Sequence, residues 1–443
     1  MYLRFFAKET NDPLHYAFDK KIAVHPMARG EPIPAHKAQE IWKGIMEKEG
    51  GYGKRAAYFH IPFCETHCLY CGFYQNAYRP EEAEKYVNYL IRELEMIANC
   101  PFIKAHPFHA IYLGGGTPTA LPASDIFRIL KTIRDILPLA NDCEITLEGR
   151  IYNFGDEKIF ASIEGGVNRI SIGVQSFDTF VRRRVGRIEE KEGIIERLKF
   201  INSLDQAAVI IDLIYGLPYQ TIEIWESDVR QYIELGLDGV DLYQLNIYKG
   251  GRLEQAVKNK KIEKPADIPT QADMFAKGVE IMKRARYIRL SQSHWARSTR
   301  ERNIYNSLVR KDSICIPFGS GAAGWLSGYF FYQENRLSNY YQMIDAAKKP
   351  IIMGMKRHPY HGLFKNIEEG LESGTLDLEL LSQRYNLDLR HIFSPLFKQW
   401  EEVGLIRIKD GLCELTLAGE FWYVNLCQLM IDYFQEISKK RLQ

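Results

Sequence analysis

The chain lacks any long block of Lys or Arg, and its 58 basic and 56 acidic residues leave a formal charge of only +2. A polyanion such as nucleic acid has no electrostatic footprint to bind here, and no such partner is expected. Long apolar runs are missing too. No window approaches the roughly 20 residues of a membrane-spanning helix, and the opening Leu3-Arg4-Phe5-Phe6-Ala7-Lys8-Glu9 turns charged too early for a signal peptide. No membrane association is expected. Cysteine is scarce, and 8 in 443 residues exclude a disulfide scaffold. A reducing, cytoplasmic compartment is the expectation.

What the chain does have is a core-forming composition, 46% hydrophobic and 12% aromatic. Its 443 residues exceed one ordinary core, so a large catalytic domain with a smaller companion is expected. A lead segment over 1–53, a catalytic unit over 54–335 and a helical cap over 336–443 divide it on pattern.

Three of the cysteines cluster as C-x3-C-x2-C in Tyr58-Phe59-His60-Ile61-Pro62-Phe63-Cys64-Glu65-Thr66-His67-Cys68-Leu69-Tyr70-Cys71-Gly72-Phe73, directly after a strand-like run. That spacing puts three soft thiolates on one short loop, able to cap one metal cluster. A four-iron cube fully ligated by cysteine needs a fourth thiolate, and Phe73 cannot supply it. One iron would stay open for a small molecule. Two other readings of the spacing remain open here: a zinc knuckle completed by His60 or His67, and three reduced core thiols.

Around this loop, strand-like runs at 56–61, 110–114, 143–148, 168–175, 208–214 and 239–247 alternate with helical patterns. The helix after the first run is marked by Val87, Leu90, Ile91, Leu94 and Ile97 behind Pro80. Six β/α units predict a parallel sheet curved into a partial barrel. Neighbouring strand residues point to opposite faces, which sets Ile145 and Leu147 against Glu144, Thr146 and Glu148. Likewise Ile170, Ile172 and Val174 oppose Arg169, Ser171, Gly173 and Gln175. Helices must cover the apolar face, so the polar face predicts a wet lumen. Polar strand ends that merely meet solvent are the alternative. After the second run come Leu113-Gly114-Gly115-Gly116-Thr117-Pro118-Thr119, three residues without Cβ where backbone can approach a ligand.

The HIPFC lead-in, the cysteine spacing and the Gly-Gly-Gly-Thr-Pro segment together resemble the coproporphyrinogen dehydrogenase branch of the radical S-adenosylmethionine (SAM) enzymes. The likeness continues through Thr146-Leu147-Glu148, Ser171-Ile172-Gly173-Val174-Gln175-Ser176-Phe177, Val185-Gly186-Arg187 and Asp212-Leu213-Ile214-Tyr215-Gly216-Leu217-Pro218. It implies an α/β fold, a partial (β/α)6 TIM-like barrel with a smaller winged-helix-like cap. It also implies a [4Fe-4S] cluster on Cys64, Cys68 and Cys71, whose open iron is chelated by SAM to yield a 5′-deoxyadenosyl radical. A reduced flavodoxin- or ferredoxin-type protein would supply the electron. Two SAM molecules are implied. Tyr58, Gly115 and Glu148 fall to the first, and Tyr70, Gly116, Thr117, Gln175, Arg187 and Asp212 to the second, with Asn246 and Ala323 completing the contacts.

The stretch 290–310 carries His294, Trp295, Arg297, Arg300, Arg302 and Tyr305. That mix suits a flat aromatic dianion such as haem, with rings to stack, guanidinium groups for propionates and an imidazole to reach iron. His294, Arg297, Arg302 and Tyr305 are therefore the expected substrate contacts; the alternative is an exposed basic stretch with a structural histidine. Within the branch, the dehydrogenases carry a further cysteine where this chain has Phe73, and the haem chaperones carry a His-Asn-x-x-Tyr-Trp where it reads Arg302-Asn303-Ile304-Tyr305-Asn306-Ser307. Cys71-Gly72-Phe73-Tyr74-Gln75-Asn76 and Leu415-Thr416-Leu417-Ala418-Gly419-Glu420-Phe421-Trp422 resemble instead the haem-utilisation radical SAM methyltransferases. That resemblance implies oxygen-independent opening of haem, with methylation of a meso carbon and release of iron.

Overall fold

A computed structural model describes residues 3–26, 30–51, 53–311 and 313–441. The six expected runs form parallel strands side by side in chain order: β1 (Arg55–Ile61), β2 (Phe108–Gly115), β3 (Leu139–Gly149), β4 (Arg169–Gln175), β5 (Ala208–Tyr215) and β6 (Gly239–Gln244). Between and after them run α1 (Pro80–Ile97), α2 (Ala123–Ile136), α3 (Asp156–Glu164), α4 (Lys191–Ser203), α5 (Ile222–Leu235) and α6 (Ile268–Arg284). Local chemistry sets their ends. Pro80 opens α1 with Glu81 and Glu82 in its first turn, where the helix dipole favours acids. Thr221 caps α5 by accepting from the Ile224 amide, and Gly236 at φ 61° stops it.

Strand register carries one side chain set outward and the other inward. Phe59, Leu113, Leu147, Ile172, Ile211 and Val240 point out and are buried under the helices, each contributing roughly 1.5–3 kcal/mol of burial. The inward set pairs across as Tyr58↔Tyr112, Tyr112↔Thr146, Thr146↔Arg169, Glu148↔Ser171, Gly173↔Asp212 and Asp212↔Asp241. The polar face thus lines a lumen, as the alternation predicts.

Past the sixth strand the chain departs from its pattern. β7 (His294–Ala296) turns back antiparallel to β6. α7 (Ile304–Arg310) then enters the lumen, its Leu308 packing on Ala56, Ala110 and Cys315. The Glu144 carboxylate accepts the amides of Ile304 and Tyr305, both at 3.0 Å, and so fixes the start of this helix. β8 (Ile314–Phe318) adds a seventh parallel strand beside β1, and β9 (Ala323–Leu326), β10 (Tyr329–Gln333) and β11 (Ile351–Lys356) extend the sheet antiparallel. Its outer strands are Glu31–Ile33 at one end and Ile288–Arg289 at the other. The sheet therefore reaches past the expected boundary at 335/336 and takes a strand from the lead segment. β11 lies where a helical pattern was expected, because its six residues, Ile351 to Lys356, show no alternation of apolar and polar side chains.

The remaining chain is the helical cap: α8 (His361–Glu372), helices Leu378–Tyr385, Leu389–Val403 and Tyr423–Arg441, and a three-stranded antiparallel sheet of Thr375–Asp377, Leu412–Leu415 and Ile406–Lys409. No described helix is long and apolar enough to cross a membrane.

Candidate functional site

The cysteine loop leaves β1 at the end where β2, β3 and β4 also finish, so their final residues surround it. Cys64 and Cys68 are buried and Cys71 half-buried, and all three thiols are free. Each sulfur meets a donor. Thr117 Oγ1 lies 3.4 Å from Cys64 Sγ, Arg150 Nη2 donates to Cys68 Sγ at 3.1 Å, and the Phe73 amide to Cys71 Sγ at 3.3 Å. Burial pushes the Cys68 thiol up, but the Arg187 and Arg150 guanidiniums outweigh it and hold that thiol below its ordinary value. Arg150 also donates to Thr66 Oγ1 at 2.6 Å, which ties the loop to the end of β3.

Beneath the loop the glycines are required by contact. A Cβ on Gly116 would stand 2.5 Å from the Phe63 carbonyl, and one on Gly115, at φ +109°, 2.6 Å from the His60 ring. The Gly116 amide donates to the Ile61 carbonyl at 2.8 Å and the Gly115 amide to Glu148 at 3.3 Å. Glu148 also accepts from the Tyr112 hydroxyl; burial still raises its carboxyl above the usual range. Tyr58 bonds the His60 imidazole at 3.0 Å.

Across the lumen, Arg187 donates to the Tyr70 hydroxyl at 3.1 Å and to the Gly173 carbonyl at 2.7 Å. Gln175 ends β4 in a left-handed conformation, φ 74°, at a break in register, and its buried Oε1 has no partner. His60 Nε2 is buried and equally unpartnered. Burial, Asp241 and Glu148 together push the Asp212 carboxyl well above its ordinary value. Asn246, with Leu69, Tyr70, Cys71, Gly72 and Tyr248, lines an open cavity of about 330 Å³. Ala323 follows residues 318–322, which are moored near the loop: Gly319 donates to Glu93 at 2.8 Å and Ser320 to the Tyr86 hydroxyl, which itself donates to the His60 carbonyl.

The opposite end of the lumen is closed by charge. Arg169 Nε is 3.1 Å from both Glu301 oxygens, and the His294 ring spans Asp241 at 2.8 Å and Glu301 at 3.2 Å.

A family model for the radical SAM superfamily matches residues 58–232. Over 434 residues, 98% of this chain and 95% of the relative, the sequence is 36% identical to anaerobilin synthase of Escherichia coli O157:H7. The chain belongs to the radical SAM superfamily. It is also 29% identical to the heme chaperone HemW of Lactococcus lactis, over 66% of this chain and 76% of that one. Against the oxygen-independent coproporphyrinogen III oxidase of Escherichia coli K12 it is 24% identical over 87% of each. The solved structure of coproporphyrinogen III oxidase (HemN) from Escherichia coli shares the fold, with a TM-score of 0.77, 21% identity, and coverage of 96% of this chain and 99% of that one. The chain is thus a radical SAM protein of the HemN-like branch.

Proteins of this superfamily use a [4Fe-4S] cluster and SAM. The residues present fit that group. Three free thiols share one loop with a donor beside each sulfur, glycines give close backbone approach, and buried polar atoms of His60 and Gln175 lack protein partners. Among the described residues no three His, Cys, Asp or Glu side chains converge as the ligands of one ion would.

The expected cluster positions and most of the expected SAM positions gather toward one end of the lumen, Asp212 lies midway beside Asp241 of the floor, and Tyr305 joins them on its wall, 4.3 Å from Tyr112 between ring centroids. Three of the four expected substrate contacts do not. His294 is fully buried with both nitrogens engaged. Arg297 is exposed and donates to the Gly236 carbonyl, and Arg302 is exposed 3.8 Å from Asp142. The antiparallel return of β7 explains this: it carries the basic stretch down to the strands' starting ends, beneath the floor. Sequence reasoning passed over Arg150, whose only signal was its place two residues beyond Glu148.

Proposed function

We propose that this radical SAM protein opens the haem macrocycle without oxygen, placing a SAM-derived methyl group on a meso carbon to give a linear tetrapyrrole and free iron. The observation that carries the reading is the likeness to anaerobilin synthase along nearly the whole length of both chains, at 36% identity against 29% and 24% for the chaperone and the oxidase. Position 73 supports it, since the further cysteine of the dehydrogenases is here a Phe, 64% exposed.

With Cys64, Cys68 and Cys71 as ligands, the bound cluster and SAM supply the 5′-deoxyadenosyl radical. Tyr58, Gly115 and Glu148 face the first SAM. Tyr70, Gly116, Thr117, Gln175, Arg187, Asp212, Asn246 and Ala323 surround the second, the methyl source. Arg187 is suited to a methionyl carboxylate because its guanidinium is a planar fork of donors. Asp212 and Glu148 can accept from ribose hydroxyls or an amine. Tyr58, Tyr112 and Tyr305, with centroids 4.3–6.3 Å apart, present ring faces to a flat substrate. A radical route is needed because an sp2 meso carbon is a poor nucleophile toward a methyl sulfonium. A reduced flavodoxin- or ferredoxin-type protein serves as electron donor.

Anaerobic incubation with haem, methyl-deuterated SAM and a reductant tests the reading. Loss of the haem absorbance, S-adenosylhomocysteine and a deuterium-labelled linear tetrapyrrole are expected. Haem that stays bound and unchanged would favour a chaperone instead.

A further inference from the structure

Of the arginines in the basic stretch, Arg310 is the one whose ion pair joins the barrel to the cap, through Glu372. We infer that Arg310 is the residue that recognises a carboxylate of the substrate, exchanging Glu372 of the cap for it. This rests on the reading of the substrate as haem, a planar ring that carries two carboxylates.

The geometry separates Arg310 from its neighbours. Arg169 is locked against both oxygens of Glu301, with side chains only 3% and 0% exposed, and Arg297, Arg300 and Arg302 are exposed. The Arg310 side chain keeps 21% of its surface open, and its Nε lies 3.0 Å from Glu372 Oε2 on α8. It closes the short helix whose second residue is Tyr305, about 7.5 Å further along the axis and roughly 140° round it, so that the two side chains border different sides of α7. The Arg310 charge also reaches the lumen, acting on Asp241 and on Tyr243. Tyr243 lies in phase with Asp241 on β6 and is 42% exposed.

Glu372 is a weak holder of this guanidinium. Burial raises its carboxyl, Glu368 and Asp241 add to that, and Arg310 is the main group opposing them. A substrate carboxylate that takes the fork leaves Glu372 free to accept a proton at little cost, so the exchange strands no buried charge. The seam does not depend on Arg310, because Lys311 pairs with Glu369 at 3.3 Å across the same two helices.

The test titrates the full-length protein with haem and with haem dimethyl ester, which keeps the ring and iron but has no carboxylates. A charge-assisted hydrogen bond predicts that Arg310→Ala weakens haem binding by about 10- to 30-fold and leaves the ester unchanged. Wild type should prefer haem over the ester by the same factor, Arg310→Lys should lie between, and Glu372→Gln should bind haem tighter by about 3-fold. Equal weakening of both ligands by Arg310→Ala, or of neither, overturns the assignment. If wild type binds neither ligand, the haem reading itself falls and this assignment with it.

Discussion

The two ends of the lumen are built from the same kinds of residue and behave differently. At the starting ends of the strands a chain of buried charges closes on itself: Arg169 meets Glu301, Glu301 meets His294, and His294 meets Asp241. At the finishing ends, Gln175 Oε1 and His60 Nε2 are buried without partners, and Cys68 sits beside two guanidiniums that favour its thiolate. Buried polar groups are almost always paired, and leaving one unpaired costs roughly 1–3 kcal/mol. The floor's charged groups are satisfied by one another, whereas the atoms left over on Gln175 and His60 lie beside the cysteine loop; Arg55 Nε and Trp295 Nε1, unpartnered near the strands' starts, have no such loop next to them. Sequence polarity alone does not make that distinction; partner accounting does.

The sharpest break of this contrast is Cys71→Ala. Removing one thiolate of three should eliminate the cluster and all SAM cleavage, while the half-buried position leaves the fold intact. Iron and sulfide content after anaerobic reconstitution, with circular dichroism as the fold check, gives the answer. A variant that kept both the iron and the cleavage would remove the ligand-binding end from the argument.

The opposite signature is expected at the floor. Glu301→Ala strips the partner from Arg169 and His294, both buried, and should cost about 3–5 kcal/mol of stability. SAM affinity of the folded fraction should barely change. Denaturant unfolding beside SAM titration reads the two separately, and a variant that lost SAM binding at unchanged stability would invert the comparison.

Much of this was visible in the residues. The C-x3-C-x2-C spacing, the three glycines and the alternation of Thr146 and Glu148 against Leu147 marked the loop, the close backbone approach beneath it and the polar face. Those features are local: they depend on spacing along one loop or on a period of two along one strand. What stayed hidden was long-range. Arg169 meets Glu301 across 132 residues and Asp241 meets His294 across 53, and nothing in either neighbourhood specifies the partner. The placement of the basic stretch followed from β7, a strand of three residues too short to leave a pattern. The same holds for β8, whose seat beside β1 is decided by closure of the sheet. Composition marked 290–310 as suited to a dianion, whereas topology turned most of it away from the lumen.

The floor also sets a pH signature. Burial alone would lower the His294 pKa, but Asp241 and Glu301 carry it up to about 9. The folded value lies above the unfolded one, so the stabilisation is complete below about pH 6.5 and is lost as pH rises through about 9. Over that window the stability should fall by about 3 kcal/mol at most. Denaturation midpoints between pH 6 and 10 should therefore drift downward in wild type and stay nearly level in His294→Gln. A level profile in wild type would mean a neutral imidazole, and the charges of the floor would not balance as described.

The smallest effect discriminates most finely between the two ends. Arg302 is exposed, and its one acidic neighbour, Asp142, lies 3.8 Å away with 76% of its own side chain open to water. Such pairs are worth about 0–1 kcal/mol, so Arg302→Ala should leave stability, SAM affinity and haem affinity within error of wild type. Arg297→Ala should do the same, since its contact is to a carbonyl outside the lumen. Measured beside Arg310→Ala, these two substitutions remove the same charge from the same stretch and differ only in where the chain has carried it. A loss of haem affinity at Arg302 comparable to that at Arg310 would show that the ligand reads the charge of the stretch and not the seam with the cap, and the assignment to Arg310 would no longer hold.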